Sequence, residues 1–312
     1  MKKLIDLETY PVRPVLERLL QDKTTKQNII FATDAYLENG EGFAETAEIT
    51  AGKLLGYCKI RIQPRVEKAA EEQSARTRKK AEVFTPSWIV NKMNNHCDEE
   101  WFGRKNVFNT ETENGEKWVT NQFPIQFDGK TTWKGYVDSR RLEITCGEAP
   151  YIVSRYDAAT GKIIPIADRI GFLDRKLRVV HENAVDDEEW LKWAIRAVQS
   201  SYGYEFQGDN LLIARVNVLV TFVENYTLRF GTQPDEKLLR KAVNIISWNI
   251  WQMDGLTGMI PFSVPKQEYL QTSFFDFFNS ESAERTAPMC RIMDWRKDRS
   301  VSYDEIKGGK NA

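Results

Sequence analysis

Apolar positions in the second half of the chain alternate between short strand-like runs and helical repeats. Residues 141–145, 202–206 and 247–252 form short apolar or aromatic runs, which predict strands. Between them, apolar residues recur at i, i+3, i+4, i+7 and i+8, which is typical of one helix face. These helical segments open at Asp186, run from Asp209 to Phe230, and run from Pro234 towards Ile246. Strands that alternate with helices predict an α/β fold with a mostly parallel sheet.

The first half of the chain has a different pattern. Residues 1–80 predict a mainly helical region, with an amphipathic turn after Pro14 and a glycine-free charged run over 65–80. The basic end of that run, residues 76–80, is either a solvated helix terminus or a phosphate contact. Residues 81–138 predict a short helix and hairpins at two turn pairs, Asn114-Gly115 and Asp128-Gly129. We therefore divide the chain into 1–80, 81–138 and 139–312.

Composition excludes several kinds of chemistry. The 312 residues carry a net charge of -1 and include two histidines, His96 and His181, without metal-ligand spacing. We therefore expect no metal site, and without a G-x-S-x-G motif we expect no Ser-His-Asp hydrolase. The four cysteines are scattered, which is typical of reduced thiols in a cytoplasmic protein. A near-neutral chain lacks the overall positive charge that is typical of proteins that bind duplex DNA over a large surface. Any DNA contact is therefore local or comes from another subunit.

The predicted strand ends carry the candidate chemistry, because ligands of parallel sheets bind at the carboxyl ends of the strands. The first strand offers Glu143 and a small-residue turn, the second offers Glu205, and the third offers Asp254. An acid after the second strand is a common partner of ribose hydroxyls. Because Ala149 and Tyr151 break the G-x-G-x-x-G pattern, these residues favour a nucleoside-type cofactor over a dinucleotide.

Four segments resemble, in order, the motifs of amino-group DNA methyltransferases. Residues 82–86 resemble motif X (Gly-x-x-x-Thr-Pro), and residues 142–151 resemble motif I (Leu-Asp-Pro-Ala-Cys-Gly-Ser-Gly-x-Phe). Residues 202–205 with Ala214-Arg215-Val216-Asn217 resemble motif II, and residues 249–256 resemble motif III (Asn-Ile-x-x-Gly-Asp-x-Leu). This order is similar to that of adenine-specific restriction-modification enzymes, near the proteins called restriction endonuclease subunit M. The resemblance implies part of a Rossmann-like, S-adenosylmethionine-dependent methyltransferase sheet, preceded by the helical N-terminal region.

The resemblance also implies a cofactor site for S-adenosylmethionine. It places Phe84 and Thr85 at the methionine end, Glu143 at the amino group, and Glu205 at the ribose hydroxyls. Asp254 would accept a hydrogen bond from the adenine amino group, with Asp294 as a second candidate. The full set of implied cofactor-binding residues is Phe84, Thr85, Glu143, Thr145, Cys146, Gly147, Ala149, Glu205, Phe206 and Asp254.

The chain departs from this family at the catalytic motif. None of its 11 prolines follows Asn or Pro, so it has no Asn-Pro-Pro-Tyr and no catalytic residue is assigned. We therefore expect a second subunit to supply motif IV and target recognition, leaving this chain inactive alone. In the family's sheet the first strand lies in the middle, so a chain with three strands would leave it as an open edge. Glu148-Ala149 also replaces the usual Ser-Gly of motif I.

Two other functions remain open on the sequence. One is a catalytically inactive structural or DNA-binding subunit that keeps a remnant methyltransferase fold. The other is a nuclease, for which the only indication is the E-x-K spacing of Glu305 and Lys307. Binding of S-adenosylmethionine separates the methyltransferase from both.

Overall fold

The computed structural model of the chain describes residues 3–57, 59–70, 73–74, 76, 78, 85–263 and 289–307. Within these ranges the protein is a mixed α/β structure. Residues 3–57 wrap around the core as turns and two five-residue helices, α1 (Leu16–Leu20) and α2 (Ala51–Leu55). The prediction of a mainly helical N-terminal region is therefore wrong over these residues. Their apolar side chains are buried by tertiary packing, and helices this short are marginal without it.

The charged run 65–80 is only partly as predicted. The run begins with a 3-10 turn at Arg65–Glu67, and Ala70, Gln73, Ser74, Arg76 and Arg78 are helical. The helix was expected to be exposed, but Arg76 is 4% exposed and lies in a buried ion pair, whereas Arg78 is exposed. The sequence predicts that Arg76 is either exposed at a solvated helix terminus or in contact with a phosphate. Because its side chain is buried in an ion pair, both predictions are wrong for this residue.

The segment before the sheet contains a long helix, one hairpin and a short helix. Helix α3 (Ser87–Phe102) begins directly after Thr85-Pro86, and strands β1 (Asn109–Thr112) and β2 (Lys117–Thr120) form an antiparallel hairpin around Asn114-Gly115. The second predicted hairpin is wrong. The Asp128 carboxylate accepts hydrogen bonds from the backbone of Lys130 and Thr131, and the chain then enters helix α4 (Trp133–Asp138).

The centre of the fold is a three-stranded parallel sheet in the order β3 (Arg141–Glu143), β4 (Ser201–Glu205), β5 (Ile250–Gln252). Helices α5 (Phe172–Asn183) and α6 (Asp187–Gln199) connect β3 to β4. Helices α7 (Gly208–Phe230) and α8 (Glu236–Asn249) connect β4 to β5. The predicted alternation is confirmed. Helix α7 is long and apolar enough to cross a membrane, but 72% of its apolar window is buried inside the protein, as in a core helix.

The two faces of the sheet are covered differently. Helices α5 to α8 and the N-terminal segment form one large core on the face of Ile250. On the opposite face, Tyr202, Tyr204 and Trp251 contact a small hairpin, β6 (Arg291–Asp294) and β7 (Arg299–Ser302), which is followed by helix α9 (Tyr303–Lys307). Strand β3 is at the edge of the sheet and has no further strand partner within the described ranges.

A buried ionic network ties β3 to the helices around it. The Asp98 carboxylate of α3 accepts hydrogen bonds from Arg141 at the start of β3 (2.6 Å), from Arg175 of α5 (2.6 Å) and from the Tyr136 hydroxyl of α4 (2.9 Å). Asp98, Arg175 and Tyr136 are almost fully buried. Burial and the negative charge of Asp98 raise the pKa of Tyr136 well above its usual value, so the phenol remains a donor. The network therefore fixes where β3 begins.

A second buried carboxylate gives a prediction about pH. Asp174 Oδ2, in the first turn of α5, accepts hydrogen bonds from the backbone N–H groups of Ser154 (2.8 Å) and Gly171 (3.1 Å). Burial nevertheless raises the pKa of Asp174 to about 6 from 3.8. The folded state therefore holds this proton more tightly than the unfolded state, and the stability that it contributes at low pH is lost as the pH rises through about 6.

We expect the Asp174→Asn variant to lose this pH dependence. Relative to the variant, the wild type should lose about 3 kcal/mol of unfolding free energy between about pH 4 and pH 7. Urea unfolding followed by circular dichroism at several pH values measures the difference. The other carboxylates titrate in both proteins, so they contribute equally to both curves of unfolding free energy against pH. If the two curves run parallel, Asp174 does not have the raised pKa assigned to it.

Candidate functional site

The carboxyl ends of β3 and β4 bring two carboxylates together. Glu143 ends β3 and Glu205 ends β4, and both are buried. Burial raises the pKa of Glu143 well above its usual value, although two backbone hydrogen bonds oppose the shift; the charge of Glu205 raises it further. Two acids at adjacent strand ends are the pair that the sequence predicts, and the structure brings them close enough to interact.

Glu205 is held in place by backbone groups. Its Oε2 accepts the N–H of Gly147 at 2.9 Å, and its Oε1 accepts the N–H of Gln207 at 3.1 Å. Gly147 belongs to the loop that follows β3, so the acid of the central strand faces the loop of the edge strand.

The loop after β3 has an unusual backbone. Thr145 (φ 46°), Gly147 (φ 53°) and Ala149 (φ 66°) all adopt left-handed conformations. This conformation is costly for a β-branched residue, on the order of 1–3 kcal/mol for Thr145. Thr145 is exposed, its hydroxyl donates to the Ile144 carbonyl, and Ala149 is fully buried. Strain of this kind clusters at functional sites, which makes this loop a site candidate.

Cys146 is buried beside the site. Its N–H donates to the Tyr204 carbonyl at 2.8 Å, which extends the pairing of β3 with β4 by one step. Its side chain is buried against Gly203, where an added Cβ would lie 3.2 Å from Cys146 Sγ and 2.9 Å from Ile152 Cδ1. Burial raises the pKa of Cys146 well above its usual value, so the thiol is an inert packing group.

Glu143 binds the backbone at the far end of the same loop. Its two oxygens accept the N–H groups of Tyr151 (3.3 Å) and Ile152 (3.1 Å). The Tyr151 hydroxyl is hydrogen-bonded to the side chain of Thr85 and donates to the Met93 sulfur at 3.2 Å. Thr85 therefore lies beside Tyr151 of this loop. Phe84 lies outside the described residues.

Glu148, which departs from motif I, has a structural role. Its Oε1 accepts the N–H of Arg65 at 2.7 Å, and its Oε2 accepts the Tyr156 hydroxyl at 2.6 Å. Asn217 of α7 donates to the Glu148 carbonyl at 2.9 Å and to the Tyr156 hydroxyl at 3.1 Å. These contacts of Asn217 were not predicted from the sequence. They could have been anticipated because Asn217 is a polar residue within the apolar helix α7, and buried polar groups need hydrogen-bond partners.

Arg215, two residues before Asn217, is a second buried polar group that sequence reasoning missed. It is fully buried and donates to the backbone carbonyls of Ile250 (2.8 Å), Ser247 (3.3 Å) and Gln21 (3.1 Å), and also to Leu19. Burial lowers the pKa of Arg215 to about 10. The residue therefore joins α1 to the start of β5.

The remaining predicted residues lie around Glu205. Phe206 is half-buried, and its ring meets Phe262 edge-on with centroids 5.5 Å apart. Asp254 follows β5 and accepts the N–H of Leu256 at 2.8 Å. Asp294 lies 3.9 Å from Arg140, which precedes β3, and is therefore at the opposite end of the sheet. Of the two candidate acids for motif III, Asp254 shares the end of the sheet that carries Glu205.

Asp209 was expected to cap α7, but the structure places it in a buried ion cluster. Gln207 is the N-cap, and Asp209 contacts Arg76 (3.0 Å), Lys68 (3.4 Å) and the Tyr36 hydroxyl (3.0 Å). Although burial opposes ionisation, Lys68 and Arg76 hold the pKa of Asp209 well below its usual range. This cluster anchors the helix that contains Arg76 beside Gln207, whose side-chain oxygen accepts a hydrogen bond from Arg76 at 2.8 Å.

Within the described ranges, no three His, Cys, Asp or Glu side chains are grouped as a metal site requires. Compared with family models, with curated proteins and with solved structures, the chain matches none of them.

Proposed function

We propose that this chain is the cofactor-binding part of an adenine-specific DNA methyltransferase of a cytoplasmic restriction-modification system. It binds S-adenosylmethionine at a Rossmann-like half-sheet. A partner subunit supplies Asn-Pro-Pro-Tyr and recognises the DNA target. One observation carries the proposal: Glu205, at the end of the central strand, faces the left-handed loop after β3 through the 2.9 Å hydrogen bond from Gly147.

The arrangement is suited to a nucleoside ligand. Gly147 and Gln207 hold the Glu205 carboxylate at the end of the sheet, so the group that would take the ribose hydroxyls is oriented before ligand arrives. Phe206, the next residue, offers an aromatic ring for adenine, and Thr85 lies on the other side of the loop beside Tyr151. Glu143 acts through the loop that it supports, since both of its oxygens bind loop amides.

A catalytically inactive subunit with a remnant fold is the second candidate. It is favoured by the interior of the loop, where Ala149 is fully buried in a left-handed conformation and the Glu148 side chain is occupied by Arg65 and Tyr156. The nuclease hypothesis has less support. Glu305 lies in the first turn of α9 and accepts the N–H of Ser302 at 3.2 Å.

The Glu205→Gln variant tests the proposal. The amide keeps the shape of the side chain but loses the charge that favours two ribose hydroxyls. Its NH2 group also cannot accept a hydrogen bond, so one of the contacts from Gly147 and Gln207 is lost. We therefore expect S-adenosylmethionine to bind about 10- to 100-fold more weakly, since hydrogen bonds to a charged group contribute about 1.5–3 kcal/mol. Titration calorimetry measures the affinity, and thermal melting checks that the variant is folded.

The matched control is Glu236→Gln, an exposed carboxylate in the first turn of α8 that pairs with Arg240. It should bind the cofactor like the wild type. Equal affinity in Glu205→Gln and wild type would reject the assignment of Glu205. If the wild type binds no S-adenosylmethionine, the inactive remnant becomes the better explanation.

A further inference from the structure

A groove of about 570 Å³ lies between the sheet and the C-terminal hairpin. We call it the hairpin groove. Its floor is apolar and is formed by Leu142, Tyr202, Trp251, Ile292, Val301 and Ile306. Leu142 is 47% exposed and Ile306 is 53% exposed, so the floor is open to solvent. The groove can take a row of side chains from an apolar helix face, but its volume is too small for a whole helix.

The rim of the hairpin groove is basic. Arg140, Lys297 and Arg299 line it with exposed side chains. The rim also carries two acids: Asp294 lies 3.9 Å from Arg140, and Glu305 accepts the N–H of Ser302. The pairing of Asp294 with Arg140 leaves Lys297 and Arg299 as the cations that face the groove against Glu305, so the rim is positive on balance. An apolar floor with a positively charged rim is complementary to an acidic, amphipathic segment.

The open edge of β3 continues this surface. Arg141 donates its N–H to the Ser200 carbonyl at 3.0 Å, so the alternate residue, Leu142, directs its backbone groups away from β4. Leu142 and Ile144 are both exposed at this edge, with Ile144 at 63%. An exposed apolar edge of this kind is a template for an added strand.

The handedness of the fold connects the edge to the groove. The strands lie in the order β3, β4, β5, so each crossover moves to the next position on the same side, and α5 to α8 all lie on one face of the sheet. Crossovers between parallel strands are almost always right-handed. A polypeptide that pairs beside β3 and continues away from β4 must therefore place its next helix on the opposite face, which is the face of the hairpin groove.

We infer that the edge of β3 and the hairpin groove together form the docking surface of the partner subunit. The partner adds a parallel strand beside Leu142 and lays the acidic, amphipathic helix that follows it into the groove. That this partner is the catalytic subunit rests on the proposed function. The shape and charge of the surface do not depend on it.

Two synthetic helical peptides of about 18 residues test the groove. Both carry leucine on one face, and the other face is glutamate in one peptide and lysine in the second. Fluorescence anisotropy at low salt should show an approximately tenfold preference for the acidic peptide, because its charges oppose Lys297 and Arg299 on a rim that is positive on balance. Added salt should reduce this preference.

Charge reversal locates the binding. Lys297→Glu/Arg299→Glu should reverse the peptide preference. Lys192→Glu/Lys237→Glu makes the same change in net charge on the exposed surfaces of α6 and α8, and it should leave the preference in place. All four side chains are exposed, so the fold should be retained, and melting curves check this.

Three results would overturn the inference: equal binding of both peptides, binding of neither at millimolar concentration, or the same change in both double variants. Sedimentation that shows a stable dimer unable to bind peptide would assign the surface to a second copy of this chain. Titration with S-adenosylmethionine in the same samples separates the two proposals. Peptide binding without cofactor binding rejects the proposed function alone, and cofactor binding without peptide binding rejects the docking surface alone.

Discussion

Replacing Asp98 by asparagine should lower the free energy of unfolding by about 3–5 kcal/mol, as expected when one partner of a buried ion pair is removed. The Asp98 carboxylate accepts hydrogen bonds from both Arg141 and Arg175 at 2.6 Å. Arg175 is 2% exposed, so water does not stabilise its charge. Asparagine keeps the size of the side chain but leaves the buried guanidinium of Arg175 and the partly buried guanidinium of Arg141 facing a neutral amide.

Urea unfolding followed by circular dichroism measures this effect. The matched control is Asp187→Asn, which breaks the pair between Asp187 and Arg229 on the surface. The control should change stability by no more than about 0.5 kcal/mol. A similar small loss in both variants would contradict the buried network. Because Arg141 begins β3, the strand that carries Glu143, Asp98→Asn should also weaken S-adenosylmethionine binding more than the control does.

The regular α/β pattern could be predicted from the sequence because its signals are local. Trp190, Ala194 and Val198 are buried on one face of α6, as their spacing indicates. Asp186 and Asp235 each accept a backbone N–H three residues later, at 2.8 Å and 2.7 Å, which marks the starts of α6 and α8. Periodicity and capping both act within a few residues, so a sequence window contains the information that determines them.

Helix α5 was not predicted, because its inner surface carries charged residues. Asp174, Arg175 and Lys176 are consecutive and all buried. Lys176 donates to the carbonyls of Ser139 (2.6 Å) and Ser200 (3.1 Å), which lie far from it in sequence. Burial lowers the pKa of Lys176 well below its usual value. A hydrophobicity pattern assigns such residues to solvent, since their partners exist only once the chain has folded.

The candidate site was predictable in position but not in detail. The rule for strand ends placed Glu143 and Glu205 at the same end of the sheet, and they are found there. The backbone of the loop after β3 could not be foreseen, because Thr145 adopts a left-handed conformation (φ 46°). Threonine has no local preference for that conformation. Long-range contacts that hold the loop impose it, such as the one between Asn217 and the Glu148 carbonyl (2.9 Å).

The purified chain should transfer no methyl group from S-adenosylmethionine to adenine in DNA. The target base must be flipped out of the duplex and read through its edge and its faces. In the family that this chain resembles, Asn-Pro-Pro-Tyr does this, and none of the 11 prolines here follows Asn or Pro. The residues that we propose for the cofactor, at the ends of β3 and β4, include no such motif.

Activity should appear only when a partner that carries Asn-Pro-Pro-Tyr is co-expressed with this chain. Completing the sheet beside β3 would cover the exposed Leu142 and Ile144, and an obligate interface of this kind buries roughly 2,000 Å² or more. At about 25 cal/mol per Å², several hundred Å² of apolar surface within that interface is already comparable to the whole stability of a domain, about 5–15 kcal/mol, so the complex should melt well above the isolated chain. Transfer of labelled methyl to DNA by the complex measures activity, and a partner with Asn→Ala in its motif is the control. Labelled DNA from the purified chain alone would show that these residues position the base themselves.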